Sequence, residues 1–367
     1  MRLTVRNSTG SSKMLRSRVI AALAVSATTA LLLAGCSTGG SATSAAPIKV
    51  SLIGVDITNP YFLKMANEAT AAAEKLGVDL SVQSDGGTAG ADVVTSQIEQ
   101  AVAAGAKAIL IEPAVGPAIN PAIKKARDAG VLVLAVDNPT TPKEVVDMSY
   151  VTGNLGVAKS LGTGTAANLG GKKAVIAMLD AFTSQVIQVD VDRDQGFLGG
   201  MGIDLKDVKV NADEAKTGKY SGGDYEIVCN QETKATQDGG RTAMENCLSA
   251  NPNINVVYTI NEPAAFGAFE ALKAAGKASG VTIVTFDGSC DGIKALKRGE
   301  LTLNAQTYPG KQSSLAVAAA YAFIKDGTKP APTKGLDYFD TGSALVSAAQ
   351  IPGVETITPD VAAGLCF

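Results

Sequence analysis

Histidine is absent from all 367 residues. Its absence removes the commonest general base and the commonest metal ligand together. No two cysteines stand in Cys-x-x-Cys spacing, and no histidine could complete a set, so no zinc-site pattern exists. Charge is sparse: 18% of residues are charged and the net charge is −3, which gives no basic footprint for nucleic acid. No nucleophile elbow and no placed glycine-rich phosphate loop occurs. Downstream of the N-terminal region no apolar run is long enough to span a membrane; Ser313 to Ile324 is too short and reads as core. An enzyme built from what remains would need a carboxylate pair such as Asp137 and Asp287.

What is present is ordinary globular material. The chain is 46% hydrophobic and long enough for two domains. Residues 1–36 read as a leader: Arg2, Arg6, Lys13, Arg16 and Arg18 form a basic region, and Val19 to Ala34 an apolar one. It ends Leu33-Ala34-Gly35-Cys36, which resembles a bacterial lipobox with Cys36 as the lipidated residue. Residues 37–46 are Ser/Gly/Thr/Ala-rich and read as a flexible tether.

Beyond the tether, apolar runs alternate with helical periodicity. Val50 to Val55 reads as a strand buried on both faces. Asn59 can cap and Pro60 can start the helix that follows, and Gly77 can stop it. Further strands are expected at Asp79–Gln83, Ala108–Glu112 and Val131–Val136. The intervening helices are Ala91–Ala104 and Pro117–Ala129, stopped by Gly105 and Gly130. The pattern restarts at Ser149–Thr152. Helices then follow at Asn154–Leu169, Val186–Met201, Gly239–Leu248, Pro263–Ala275, Gly292–Arg298 and Ser313–Ile324. Strands are expected at Ala174–Leu179, Glu226–Cys229, Val256–Ile260, Ile283–Phe286 and Leu301–Ala305. Asp204 to Asp224 reads as a strand plus an irregular insertion, and Asp337 to Ser347 as a last crossing strand. This alternation implies right-handed crossovers and parallel sheets, an α/β fold.

In an open α/β sheet, ligands bind at the carboxyl ends of strands. That puts Asp56, Asn59, Tyr61 and Phe62 at an expected site, a polar and aromatic mixture suited to a polyol with an apolar ring face. Asn59 could equally be only a cap, Phe62 only core, Asp137 and Asp287 only turn caps, and Arg193 a surface partner of Asp190 or Asp194. Two motifs mislead. Asp190-x-Asp192-x-Asp194 begins like a calcium loop, but the sixth position is Gln195 and the twelfth Met201. Gly162-Thr163-Gly164-Thr165-Ala166-Ala167 fits a loose dinucleotide pattern, yet lies inside an expected helix. No metal and no cofactor is expected. After Cys36, four cysteines remain: Cys229, Cys247, Cys290 and Cys366. In an exported chain they suggest disulfides with three possible pairings. Cys229–Cys247 with Cys290–Cys366 is favoured, because Cys247 lies on the helix returning beside the strand of Cys229.

Several segments together resemble the substrate-binding lipoproteins of sugar ABC importers, in the ribose/galactose-type periplasmic-binding family. They are Asn59-Pro60-Tyr61-Phe62, Val136-Asp137, Arg193-Asp194-Gln195-Gly196-Phe197, Thr259-Ile260-Asn261-Glu262-Pro263 and Phe286-Asp287-Gly288, in family order. The stretches Val191–Phe197, Arg241–Asn246, Asn253–Ala265 and Phe339-Asp340-Thr341-Gly342 resemble the fructose-binding branch. The resemblance implies two similar Rossmann-like lobes joined by a three-strand hinge, the type I periplasmic-binding fold. Residues 47–152 with 308–340 would form the first lobe, and 153–307 with 341–367 the second. It also implies a ligand set of Asp56, Asn59, Tyr61, Phe62, Glu112, Asp137, Asn138, Thr152, Arg193, Asn261, Asp287 and Gln306. Ribose binders carry Arg where Asn138 stands and Asn where Glu112 stands, which argues against ribose. Gln306 precedes Pro309 by three residues rather than two, so Gln306 or Thr307 could face the ligand. The expected partners are a monosaccharide, ABC permease and ATPase subunits, and the membrane through the lipid; the protein is expected to be an extracytoplasmic, membrane-anchored monomer and no enzyme. A sensor presenting the ligand to a membrane receptor is the alternative.

Overall fold

The computed structural model describes residues 46–84, 90–183 and 186–367. The leader, Cys36 and the tether up to residue 45 lie outside the described residues. β1 (Ile48–Val55) is buried from Val50 onward. α1 (Pro60–Leu76) starts where expected, for a visible reason: the Asn59 side-chain oxygen accepts from the Tyr61 N–H at 2.9 Å, and Pro60 has no N–H to leave unsatisfied. Gly77, at φ 66°, ends it in the left-handed conformation. Tyr61, Met65, Ala66, Ala69 and Ala73 form its buried stripe.

The unit then repeats through β2 (Val78–Ser84), α2 (Ala91–Ala103), β3 (Ala108–Ile111), α3 (Asn120–Asp128), β4 (Leu132–Val136) and β5 (Met148–Val151). These strands pair in parallel in the order β2-β1-β3-β4-β5. The expected helix over Pro117–Ala129 is split. Gly116–Ile119 is a 3-10 turn and the α-helix begins only at Asn120. Pro121 explains the break, because its ring would collide with the carbonyl four residues back and it has no N–H to donate there.

The second half runs α4 (Asn154–Leu169), β6 (Ala174–Asp180), α5 (Gln188–Met201), β7 (Thr217–Tyr220), β8 (Gly223–Glu232), α6 (Gln237–Ala250) and β9 (Val256–Thr259). It continues with α7 (Glu262–Ala274), β10 (Thr282–Asp287), α8 (Cys290–Arg298) and β11 (Leu303–Thr307). Its parallel strands take the order β8-β6-β9-β10-β11, the same order as the first sheet. β7 turns back antiparallel on β8, so Asp204–Asp224 ends in a hairpin. α9 (Pro309–Asp326) then packs on α1 and the first sheet. β12 (Phe339–Asp340) joins the edge of β5, and β13 (Ser343–Ser347) pairs antiparallel with β11. The last strand region is therefore two short strands that change sheets around Gly342, whose φ is 82°. A short helix α10 (Pro359–Ala362), absent from the expectation, follows.

The chain thus passes between the sheets after β5, after β11 and after β12. Two of these passages are tied together. The Asp340 carboxylate accepts from the backbone N–H of Gly153 at 3.0 Å and of Gly342 at 2.9 Å, and the Thr341 N–H donates to the Val151 carbonyl at 2.9 Å.

Each sheet has apolar cores on both faces, with each fully buried Leu or Ile contributing roughly 1.5–3 kcal/mol. α4 and α5 cross so closely that glycine is required. A Cβ on Gly162 would lie 2.0 Å from the Phe197 carbonyl oxygen, and one on Gly200 2.1 Å from that of Lys159. The dinucleotide-like Gly162–Ala167 pattern is therefore a helix-crossing pattern. Disulfides join Cys229 to Cys247 and Cys290 to Cys366, with sequence separations of 18 and 76. Loops of those sizes constrain the unfolded chain by about 3–4.5 kcal/mol each in the chain-entropy account. Among the described residues, no helix is long and apolar enough to cross a membrane, and no acidic, Cys or His cluster could hold a metal ion.

Candidate functional site

In both sheets the strand order reverses between the first strand and the next parallel one, at β1/β3 and at β6/β9. Crevices for ligands open at such switch points, beyond the carboxyl ends of the strands. On that same carboxyl edge each sheet contributes an aspartate one strand further on. Asp137 follows β4 with φ 65°, and Asp287 ends β10 with φ 116°. Positive φ at a residue other than glycine strains the backbone by roughly 1–3 kcal/mol, and such residues concentrate at functional sites.

Arg193 stands between them. It lies in α5, the helix after β6, and is only 5% exposed. Its Nε donates to Asn154 Oδ1 at 2.9 Å and one terminal nitrogen to the Ile260 carbonyl at 2.8 Å. That nitrogen is 3.9 Å from Asp287 Oδ1, and the guanidinium sits 4.5 Å over the Phe286 ring. Arg193 is thus a fixed donor and no surface partner of its neighbours in α5. The Asp190 carboxylate accepts instead from the N–H groups of Ala181 and Phe182.

Burial raises the Asp287 carboxyl to about 7, with Arg193 opposing the shift. Burial likewise raises Asp137, and Arg193 again opposes it. Asp137 adds to the rise at Asp287, so carboxyls from the two sheets feel one another across the crevice. The first-sheet wall is a hydrogen-bonded chain. The Tyr61 hydroxyl donates to Asp137 Oδ1 at 2.8 Å, and Gln312 Nε2 reaches both the Tyr61 hydroxyl and Thr152 Oγ1 at 3.2 Å. Asn138 Nδ2 donates to Glu112 Oε1 at 2.6 Å. Phe62 meets Tyr61 edge-on at 5.3 Å.

The second-sheet wall rests on Glu262. Its Oε1 accepts from the N–H groups of Gly288 and Ser289 at 3.1 Å each and from Asn304 Nδ2 at 2.5 Å. Its own N–H donates to Asp287 Oδ2 at 3.1 Å. Burial and then Asp287 push its carboxyl up to about 8. Asn261 caps α7 and donates to the Ala235 carbonyl at 2.9 Å.

Eight of the residues singled out in the sequence are brought to this crevice: Tyr61, Phe62, Glu112, Asp137, Asn138, Thr152, Arg193 and Asp287. Asn261 is at the same strand-end level, beside them. Asn59 caps α1 through its side-chain oxygen. Asp56 holds its own turn, accepting from the Thr58 N–H and hydroxyl at 2.9 and 2.6 Å. Gln306 is fully buried, and its Nε2 donates to the carbonyls of Gly288 and Ala362 at 3.2 and 3.1 Å. It braces the Asp287 turn from behind, whereas the Thr307 hydroxyl donates to the Asp287 carbonyl at 3.5 Å. The alternation of side chains along β11 separates these two neighbours. Asn154, Gln312 and Glu262 were not foreseen. Asn154 is the first residue of α4 and Gln312 sits one turn inside α9, both helices that follow crossings, where no local pattern marks them; Glu262 lay next to a chosen residue.

The set can donate in a fork, accept at two carboxyls and present aromatic faces, which is recognition chemistry for hydroxyl-rich molecules.

The description "periplasmic binding protein domain" matches residues 50–329. A ribose import binding protein of Salmonella typhimurium is 25% identical over 285 residues, 78% of this chain and 88% of that one. A D-apiose import binding protein of Actinobacillus succinogenes is 29% identical over 281 residues, 76% of this chain and 83% of that one. The fold is similar to the crystal structure of a galactofuranose binding protein, with a TM-score of 0.70 at 24% identity, covering 86% of this chain and 96% of that one. With two α/β lobes, a crevice at paired switch points and a family description spanning both, this chain belongs to the periplasmic binding protein family.

Proposed function

We propose that the chain captures a free monosaccharide between its lobes and delivers it to an ABC importer, without chemistry on the sugar. The observation that carries this reading is the convergence of Asp137 and Asp287, from facing sheets, on Arg193. A sugar seated there would gain hydrogen bonds from both lobes at once, and closure follows as a population shift toward the state with more contacts. Bonds to charged partners contribute roughly 1.5–3 kcal/mol each. The names of relatives that import ribose and apiose support the sugar class. Fructose is the first candidate, on the resemblance of Val191–Phe197 and Phe339–Gly342 to fructose binders. The pairing of Asn138 with Glu112 supports a ligand other than ribose, because these two positions are where ribose binders differ.

The test is calorimetry with fructose, ribose, apiose, xylose, glucose and inositol. One sugar should bind the wild type. Asp287→Ala should weaken it by about 2–5 kcal/mol, because the buried Arg193 loses its partner. Failure of every sugar, or an Asp287→Ala affinity within twofold of wild type, would overturn the site.

The protein is further proposed to be tethered outside the cytoplasm by a lipid on Cys36. Cys36→Ala should release it from the membrane fraction; a variant that still partitions fully into detergent contradicts the tether.

A further inference from the structure

Phe367 is carried by one lobe and packs on the other. Its neighbour Cys366 is disulfide-bonded to Cys290 in the first turn of α8, with Cα atoms 4.9 Å apart. The Cys290 N–H donates to the Phe367 main-chain oxygen at 3.0 Å. Just upstream, the Ala362 carbonyl accepts from Gln306 Nε2 at 3.1 Å. This segment is therefore fixed to the second lobe three times, twice to α8 and once to β11.

The ring points elsewhere. It meets Tyr61 edge-on, with centroids 5.6 Å apart and planes at 82°. It packs with the apolar cluster formed by α1, α9 and the first sheet. Tyr61 holds Asp137 through its hydroxyl and touches Phe62 with its ring. A cavity of about 190 Å³ lies along this seam, lined by Lys64, Thr307, Tyr308, Leu365 and Phe367 among others.

We propose that Phe367 is a positioning residue of the ligand crevice. It clamps Tyr61 only while the lobes are closed, and the Cys290–Cys366 disulfide sets its place. The physical case is geometric. Any opening that parts α1 from α8 must pull the Phe367 ring off Tyr61, because the disulfide keeps the ring with α8. Closure therefore gains an aromatic contact and fixes the orientation of the tyrosine that holds Asp137. This inference rests on the monosaccharide reading above for its affinity readout, but not for its conformational one.

The test uses the full chain carrying Phe367→Ala, Phe367→Tyr, or Cys290→Ser with Cys366→Ser. Sugar affinity is measured by calorimetry, the sugar-free radius of gyration by small-angle scattering, and Tm alongside. Phe367→Ala should raise Kd about five- to tenfold, an aromatic contact's worth. It should also enlarge the sugar-free radius of gyration. Phe367→Tyr should keep Kd within about twofold of wild type, since it keeps the ring pair. The serine pair should raise Kd as Phe367→Ala does. A merely structural role would lower Tm and spare Kd. A Phe367→Ala Kd within twofold of wild type overturns the proposal. If the wild type binds no sugar, the monosaccharide reading falls first, and scattering alone decides: an unchanged radius of gyration in Phe367→Ala then overturns the clamp.

Discussion

Residue by residue, the site was legible where a side chain ends a strand and obscure where it works through another. Asp137, Arg193 and Asp287 could be chosen because strand ends and short motifs mark them. Gln306 could not be separated from Thr307, because only the pleat decides which of two neighbours points where. The largest buried charge problem lies one residue from Arg193. Asp180 and Asp194 face each other carboxyl to carboxyl, with Glu214 nearby. Burial is the main cause that raises both, and it takes Asp194 to about 8. Asp194 thus keeps a proton when folded that it loses when unfolded. Its contribution is fully present below the unfolded pKa of about 4 and is lost as pH rises toward 8. Asp194→Asn, a neutral isostere, should therefore be worth up to about 3 kcal/mol more, relative to wild type, at pH 8 than at pH 5.5. Urea denaturation at the two pH values checks this; an equal difference at both would show that Asp194 takes up no extra proton on folding.

At the scale of elements, stop signals and apolar periodicity located the strand–helix units, while edges depended on contacts that no window contains. α1 ended at Gly77 as read, since capping is local. β12 is two residues long and exists only because β5 offers it an edge. β8 outgrew its expected bounds because it pairs with β6 on one side and β7 on the other. The glycines of α4 were visible but their purpose was not, because it belongs to α5. Gly162→Ala should drive a methyl group into the Phe197 backbone carbonyl. Overpacking of this kind costs typically about 1–3 kcal/mol, and an α4–α5 contact made of backbone cannot yield as a side chain would. Thermal unfolding of Gly162→Ala should show a clear loss of Tm. A Tm unchanged within error would mean that the helices separate at little expense.

For the molecule as a whole, the repeated strand–helix alternation made the α/β class readable, and the resemblance supplied the two lobes and their hinge. The connection of the halves was not readable, since Asp340 ties crossings that are far apart in sequence. The three passages have a consequence in time. The first sheet draws its strands from both ends of the chain: β1 to β5 come early, whereas β12 and the covering helix α9 come after all of β6 to β11. As the chain is made or threaded from its N-terminus, the early half therefore waits with the side of α1 that α9 covers, around Met65, still open. The second half, from α4 to β11, then lacks its edge strand β13 and the C-terminal segment with α10 and Cys366. The half that begins first is therefore completed only after nearly all of the other has been made, and its apolar face stays available to chaperones, or to other copies, for most of synthesis.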